Sequence, residues 1–439
     1  MHRRRLLTCA LASMAAAPLA RAQVFPPAGH ATPIGTYPFA PDVYAARRAA
    51  LMGQLKEGIA VIRGADAESG QAGISAPFQQ DGDFAWLTGI VDEPGAVLVL
   101  APAEPHFREF LLLPSRNPEA ERWDVERLPL GAEIERRTGF ARVLRTGALG
   151  TLVTGLAERS KLLHFLGPVV SAEAPVPPAL ELYGKISARV PGCSIRDNSA
   201  LLTALRTVKE PRELALIRKA TQATCAGHLA AMRSLKPGMS ERALRDVVEG
   251  AFRAAGGDGV SYNSIVGAGR NAASLHYTRA MGGIEAGDLV LIDAAASVGT
   301  YTSDITRTLP ASGRFTREQR ATYDLVLEAQ GVAASRLRAG VTLHELTEAA
   351  KDVFRKAGRI DDFYHGLGHY VGLEVHDAGD YSRPIPAGAV ITIEPGLYVQ
   401  SANYGIRIED LYLVTPTGAE RLSADIPRSA AEIEATMQS

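Results

Sequence analysis

Four acidic residues interrupt apolar runs late in the chain. Asp293 ends "LVLI", Asp304 sits in "TSDITRT", Glu394 ends "VITI" and Glu409 sits in "IRIED". A carboxylate among apolar neighbours is costly to bury unless it is paired or bound to a metal. Between Asp304 and Glu394 lies "DDFYHGLGHYVGLEVHD", residues 361–377, which gathers His365, His369 and His376 around Gly366, Gly368 and Gly372. One such acid has a local explanation in a salt bridge or hydrogen bond. Four of them, with an imidazole-rich and glycine-rich segment, ask for a common cause, and a divalent metal centre supplies it: the cation offsets the mutual repulsion of the carboxylates. Two aspartates, two glutamates and one histidine form an oxygen-rich donor set, suited to hard or borderline ions such as Mn²⁺ rather than to a thiolate-type zinc site. Four carboxylates exceed what one small ion requires and fit a pair of ions about 3.5 Å apart with bridging carboxylates.

These side chains need strands to carry them. The runs "DLVLIDAAA", "TSDITRTL", "AVITIEPGLYV" and "IRIEDLYLVT" read as strands. A glycine-containing hairpin between the first two brings Asp293 and Asp304 together. Arg407 lies two residues before Glu409, on the same face of a strand, and is placed to hold a carboxylate ligand. Thr306, two after Asp304, is a candidate hydrogen-bond donor to the same group. Helices frame these strands from residue 197 onward. "EPRELALIRKATQATCAGHLAAMRSL" is a long amphipathic helix opened by Pro211 in its first turn, and Ser240 caps "ERALRDVVEGAFRAAG". Thr316 with Gln319 and Thr342 with Glu345 have the spacing of reciprocal helix caps.

Residues 41–190 read as a separate α/β domain. "PDVYAARRAALMGQL" has helical periodicity, while "GIAVIRG", "GAVLVLAP" and "FREFLLLPS" are short apolar strands. Residues 23–40 read as an extended arm. Residues 1–22 read as an export signal: a basic start, a short apolar run and a small-residue cleavage site at "ARAQ". That implies the bacterial periplasm, and "RRRLL" has the look of the twin-arginine route. The 439 residues carry a formal net charge of −1, with 46% hydrophobic and 22% charged residues. Such balance points away from a nucleic-acid or membrane partner once the signal is removed. Cys193 and Cys225 remain in the mature chain, with no CxxC pair, so a bridge between them and two free thiols are both open.

In order and in context, "LIDAAA", "SDITRT", "HGLGH", "TIEPGLY" and "RIED" resemble the ligand motifs of the pita-bread metallopeptidases, and within them the aminopeptidase P and prolidase branch. The resemblance extends to "YNSIVGAGRNAASLHY" (262–277) and to "FQQDGDFAWLTGIVDEPGAVLVL" in the first domain. It implies an α/β (α+β) chain: an N-terminal creatinase-like α/β domain, then a pita-bread catalytic domain over 197–433 with a curved antiparallel sheet flanked by helices. It implies that Asp293, Asp304, His369, Glu394 and Glu409 bind two divalent ions, Mn²⁺ first, with Co²⁺ or Zn²⁺ as other choices. His276, His365 and His376 would face the substrate and stabilise the reacting carbonyl, Glu394 would also shuttle the proton, and Tyr398 would line the proline pocket. The expected activity is hydrolysis of the bond between an N-terminal residue and a following proline in a peptide, by a homo-oligomer (dimer or tetramer). The arginine that many members use for the substrate's carboxyl end has no clear counterpart beyond Arg383. A dipeptidase (prolidase) is therefore the first alternative, with a methionine-aminopeptidase-like enzyme, a creatinase-like enzyme and a non-enzymatic peptide-binding homologue behind it.

Overall fold

Strand β1 (Ile59–Arg63) is flanked by β2 (Val97–Leu100) and β5 (Leu162–Phe165) at the centre of a six-stranded mixed sheet, in a computed structural model that describes residues 34–66, 78–122 and 127–439. The sheet continues through β3 (Glu109–Leu113) to β4 (Val143–Arg145) on one side and to β6 (Ser194–Asp197) on the other. All four residues of β2 are buried, which is why its sequence is a continuous apolar run rather than an alternating one. Helices Leu149–Ser160 and Pro178–Ser187 cover one face, where Val153, Leu156, Tyr183 and Ile186 pack on Ile59, Val61, Val97 and Val99. The sixth strand lies beyond residue 190, where periodicity placed the end of this domain. The export signal and residues 23–33 of the arm lie outside the described residues. Contacts along the chain divide the molecule into two compact units, of which the larger, Ile34–Ser115 with Pro129–Ser439, holds the strands and both cavities described here. In the smaller, Arg116 pairs with Glu121 at 2.9 Å beside the 3-10 turn Ala120–Arg122.

Local signals set the helices of the second half. Helix Pro211–Ser234 starts on Pro211, and Glu210 and Glu213 cap it reciprocally. Ser240 accepts from Ala243 N at the start of helix Glu241–Ala254. The reciprocal caps Thr316–Gln319 and Thr342–Glu345 open helices Arg317–Arg336 and Leu343–Lys356, as their spacing predicted. Between the helices lie antiparallel strands: β8 (Ile265–Ala268), β9 (Leu289–Asp293) and β12 (Thr306–Pro310) in one sheet, and β13 (Val390–Ile393), β16 (Asp410–Val414) and β17 (Ala419–Arg421) in another. β14 (Gly396–Val399) pairs with β15 (Tyr404–Arg407), and β7 (Gly259–Val260) with the tight hairpin β10 (Ala296–Val298) and β11 (Tyr301–Thr302). Cys193 and Cys225 are both free. Among the described residues no helix is long and apolar enough to cross a membrane.

The expected strands differ from the observed ones in one instructive way. "TSDITRTL", "AVITIEPGLYV" and "IRIEDLYLVT" each have the pattern of one strand, yet each breaks at its acid. Asp304 lies between β11 and β12, Glu394 between β13 and β14, and Glu409 between β15 and β16. A carboxylate in a regular strand points to one face and is fixed by the pleat. A two- or three-residue break frees it to turn, and it also carries the chain from one small sheet to the next. Likewise the connection from Asp293 to Asp304 is no simple loop. It contains the β10–β11 hairpin, whose central residues Gly299 and Thr300 have φ of 61° and 68°, as a two-residue turn of the primed type requires. The outer strands then pair with Thr306 opposite Asp293.

Arg47, in helix Pro41–Leu55, joins the first domain to the second. It is buried, stacks over Trp86 at 4.7 Å and reaches Glu213 at 3.2 Å and the Tyr301 hydroxyl at 3.5 Å. Trp86 donates from its indole to Glu213 at 3.2 Å.

Candidate metal centre and substrate cavity

The segment carrying the histidines docks onto β13. His369 N donates to Thr392 Oγ1 at 3.0 Å, Thr392 N to His369 O at 2.9 Å, and Glu394 N to Leu367 O at 2.8 Å. A Cβ on Gly368 would lie 2.2 Å from Thr392 O, so only glycine allows this approach. His369 Nδ1 donates to the Tyr370 carbonyl at 3.2 Å, an acceptor only, which leaves Nε2 as the ring nitrogen turned to the acids. Nε2 points at Asp304 Oδ2 (3.3 Å) and Glu394 Oε1 (3.4 Å).

Five side chains from separate segments converge here. Donor atoms of Asp304, His369 and Glu409 lie within 4.8 Å of one another, and all three residues are buried. The Tyr262 hydroxyl lies against both Asp293 Oδ1 and Asp304 Oδ1, and Glu394 completes the group through His369. Glu409 accepts from Thr306 Oγ1 at 2.7 Å. Arg407 gives Nη2 to Asp293 Oδ2 and Nε to Thr306 Oγ1. Sequence spacing placed Arg407 beside Glu409, but its carboxylate partner is Asp293, and Thr306 links it to Glu409.

The electrostatics describe a site that demands positive charge. Burial, and then the charges of Asp304, Glu394 and Asp293, hold the Glu409 carboxyl well above its ordinary range. Burial pushes Glu394 up to about 7 and raises Asp304 as well. Burial alone would lower His369, but its hydrogen bond to Asp304 and the charges of Glu394 and Asp304 win, to about 9. Four acids and one imidazole, packed at coordination-like spacing, fit divalent cations: bound there, cations take the place of the imidazole proton and compensate the very charges that burial penalises.

A cavity of about 600 Å³ opens over this group. Its walls include His276, His365, His376, all five acids-and-imidazole residues, Tyr262, Arg407 and Tyr381. His276 and His376 are exposed at its mouth, and the His376 ring lies 4.0 Å from that of His369. His365 is pushed down to about 4 by burial and then by Arg407, so it is neutral near pH 7. His376 is likewise pushed down to about 4, by burial and by His369 and His276.

Two expectations need correction. Tyr398 does not line the cavity. It is buried behind His365, with its hydroxyl held by Arg407 Nη1 at 2.8 Å and by His365 Nε2 at 3.0 Å. Arg383 lines the neighbouring cleft of about 960 Å³ rather than the cavity, and pairs with Asp380 at 3.1 Å. Tyr262 was missed as a site residue. It opens the quoted segment 262–277, between Ser261 and Asn263, where nothing local marks it until the two aspartates are seen around it.

With the geometry in place, the chain can be set beside known proteins. Residues 215–416 match metallopeptidase family M24, and residues 44–164 match the N-terminal domain of aminopeptidase P. The Xaa-Pro aminopeptidase of Escherichia coli is 35% identical over 431 residues, covering 89% of this chain and 96% of that protein.

The chain belongs to the M24 metallopeptidases, in their aminopeptidase P and prolidase group.

Two further comparisons differ in extent. Aminopeptidase PepP of Pseudomonas aeruginosa superimposes with a TM-score of 0.80 at 32% identity, covering 92% of this chain and 99% of that one. The Xaa-Pro dipeptidase of Pyrococcus furiosus is 37% identical, but over 50% of this chain and 64% of its own. Both halves of the M24 architecture are thus present: an aminopeptidase P-type first domain and a pita-bread second domain built on antiparallel strands and flanking helices.

Proposed function

We propose that this chain is a metal-dependent exopeptidase that hydrolyses the bond between an N-terminal residue and a following proline. One observation carries the reading: Asp293, Asp304, His369, Glu394 and Glu409 meet beneath a cavity that also presents His276, His365 and His376. Coverage of nearly the whole Xaa-Pro aminopeptidase, against half-coverage by the dipeptidase, favours the aminopeptidase over prolidase.

The five residues would hold two divalent ions, Mn²⁺ before Co²⁺ or Zn²⁺ because four of the five donors are carboxylates. Bound ions supply Lewis acidity and a water acidic enough to attack near neutral pH. The chain's own groups do the rest. Glu394 takes the proton from the attacking water and returns it to the proline nitrogen, which has no hydrogen of its own and leaves a tertiary amide. His276 and His376, at the mouth, donate to the peptide and to the oxygen that gains charge. His365 holds the cavity wall with Tyr398 behind it. Arg407 and Thr306 orient Asp293 and Glu409.

The basic and apolar leader over residues 1–22 supports export to a bacterial periplasm, by the twin-arginine route if the ions are loaded first. A dimer or tetramer is the proposed assembly. The deciding experiment measures metal content and hydrolysis of an Xaa-Pro-Xaa peptide, an Xaa-Pro dipeptide and a Met-Ala peptide. Cleavage of the first is expected. Cleavage of the dipeptide alone would make the enzyme a prolidase, and cleavage of Met-Ala alone would remove the proline assignment.

A further inference from the structure

We infer that the first domain positions His376 through a buried charge clamp, in which Asp83 holds Arg206, and Arg206 with Lys209 holds Asp377. The inference rests on the reading above, in which His376 meets the peptide.

Asp377 directly follows His376, and its side chain is 2% exposed. Its two oxygens are separately held: Oδ1 by Arg206 Nη2 at 2.5 Å, and Oδ2 by Lys209 Nζ at 2.8 Å. Lys209, 1% exposed, spends its other protons on the carbonyls of Arg206 (2.7 Å) and Thr207 (3.3 Å). Arg206 also takes Glu374 Oε2 at 2.7 Å and, with Nη1, Asp83 Oδ1 at 2.7 Å. Asp83 belongs to helix Gly82–Thr88 of the first domain, and Arg206 to helix Ala200–Thr207 on the connection between domains.

The loop that carries His376 is closed by the same groups. Asp377 N donates to Tyr370 O at 2.9 Å, and Gly372 N to Glu374 O at 3.0 Å. A Cβ on Gly372 would stand 2.2 Å from Asp377 Oδ2 and 2.7 Å from Lys209 Cε, so the loop folds against the ion pair itself. Thr302 N donates to Gly372 O at 2.8 Å, which ties the loop to β11, two residues before Asp304.

Stability alone is a weak reason for such a cluster, because well-packed apolar residues commonly serve as well as a buried ion pair. Direction is a better one. Arginine's rigid fork fixes the carboxylates it binds in angle as well as distance. With Asp377 fixed, the neighbouring imidazole is held beside His369, at the ring separation of 4.0 Å. A small misplacement of a substrate-facing group costs rate even when the group is intact. Asp83, Arg206 and Asp377 are therefore positioning residues.

The test uses the full chain loaded with Mn²⁺ and an Xaa-Pro-Xaa peptide. Asp83→Ala is expected to lower kcat about tenfold with KM little changed. Asp83→Asn, which keeps an oxygen for Arg206 Nη1, should recover most of it. Glu109→Ala is the control: it removes an equally close pair in the same domain, Arg48 Nε with Glu109 Oε2 at 2.8 Å, and should keep the wild-type kcat. Backbone hydrogen exchange at Gly372 and Asp377 should quicken in Asp83→Ala and not in Glu109→Ala. Wild-type kcat and exchange in Asp83→Ala would overturn the inference. So would an equal fall in both variants, which would mean that the first domain acts through stability only. If Asp83→Ala does not accumulate, Asp83→Ser carries the same comparison. If the wild type cleaves no Xaa-Pro peptide, the proposed function fails, while the exchange comparison still reports on the clamp.

Discussion

The Tyr398 hydroxyl lies 3.0 Å from His365 Nε2, and it decides what that histidine can do. His365 Nδ1 faces the Gly366 carbonyl at 2.7 Å, so it carries the proton, and Nε2 of the neutral ring must accept. Tyr398 is its donor. The same oxygen accepts from Arg407 Nη1, and Arg407 Nη2 reaches Asp293. An ordered chain thus runs from the cavity wall to one of the acids.

Tyr398→Phe breaks that chain without touching the cavity surface. It leaves an imidazole nitrogen and a guanidinium N–H unpartnered where Arg407 is 2% exposed. The expected cost is about 1–3 kcal/mol in urea unfolding, and a fall in kcat of roughly tenfold. KM for an Xaa-Pro-Xaa peptide should stay near wild type, because the ring does not line the cavity. A rise in KM with kcat preserved would return Tyr398 to the proline pocket.

Thr306→Val keeps the shape and removes the hydroxyl that donates to Glu409 and accepts from Arg407. Glu409 then loses its fixed orientation. Mn²⁺ affinity, followed by calorimetric titration of the chelated protein, should weaken by about 10- to 100-fold. Unchanged affinity would mean that Thr306 serves packing alone.

Removal of divalent ions should act on stability as well as on activity. Burial, and then the charges of neighbouring carboxylates, raise the proton affinity of Asp304, Glu394 and Glu409, and cations relieve that cost in the folded chain only. Chelation is expected to abolish Xaa-Pro hydrolysis and to lower the melting temperature. Added Mn²⁺ should raise it progressively, by about 2.7 kcal/mol of stability at a hundred times Kd. A melting curve indifferent to Mn²⁺ would argue against a metal held by these buried side chains.

Much of this was legible because it is local. Pro211, Ser240 and the Thr316 and Thr342 caps announce helix starts within three or four residues. The acids announced themselves by interrupting apolar runs. What stayed hidden depends on distant partners. Nothing near Arg206 points to Asp377, 171 residues away, and nothing near Arg47 points to Glu210, 163 away. The strand breaks at Asp304, Glu394 and Glu409 were hidden for a related reason. β-propensity describes a fit to a pleated surface, while the place where a chain leaves one sheet for another is set by both sheets together.

His228 shows the same limit and offers a test of sign. Its sequence neighbours mark only a helical residue, yet its ring is buried beside the end of β9, with Nε2 at 3.0 Å from the Ala294 carbonyl. Burial, and then the charge of Arg307, push it down to about 4. An unfolded histidine titrates near 6.5, about 2.5 units higher, so the unfolded chain binds the proton first. The contribution is full above that value and is lost as pH falls toward the folded value. His228→Gln keeps a donor for Ala294 and removes the titration. Between pH 7.5 and pH 5, wild type should therefore lose about 2 kcal/mol more stability than His228→Gln, read by urea unfolding of the chelated proteins at both pH values. Parallel losses in the two proteins would show that His228 does not remain neutral in the fold.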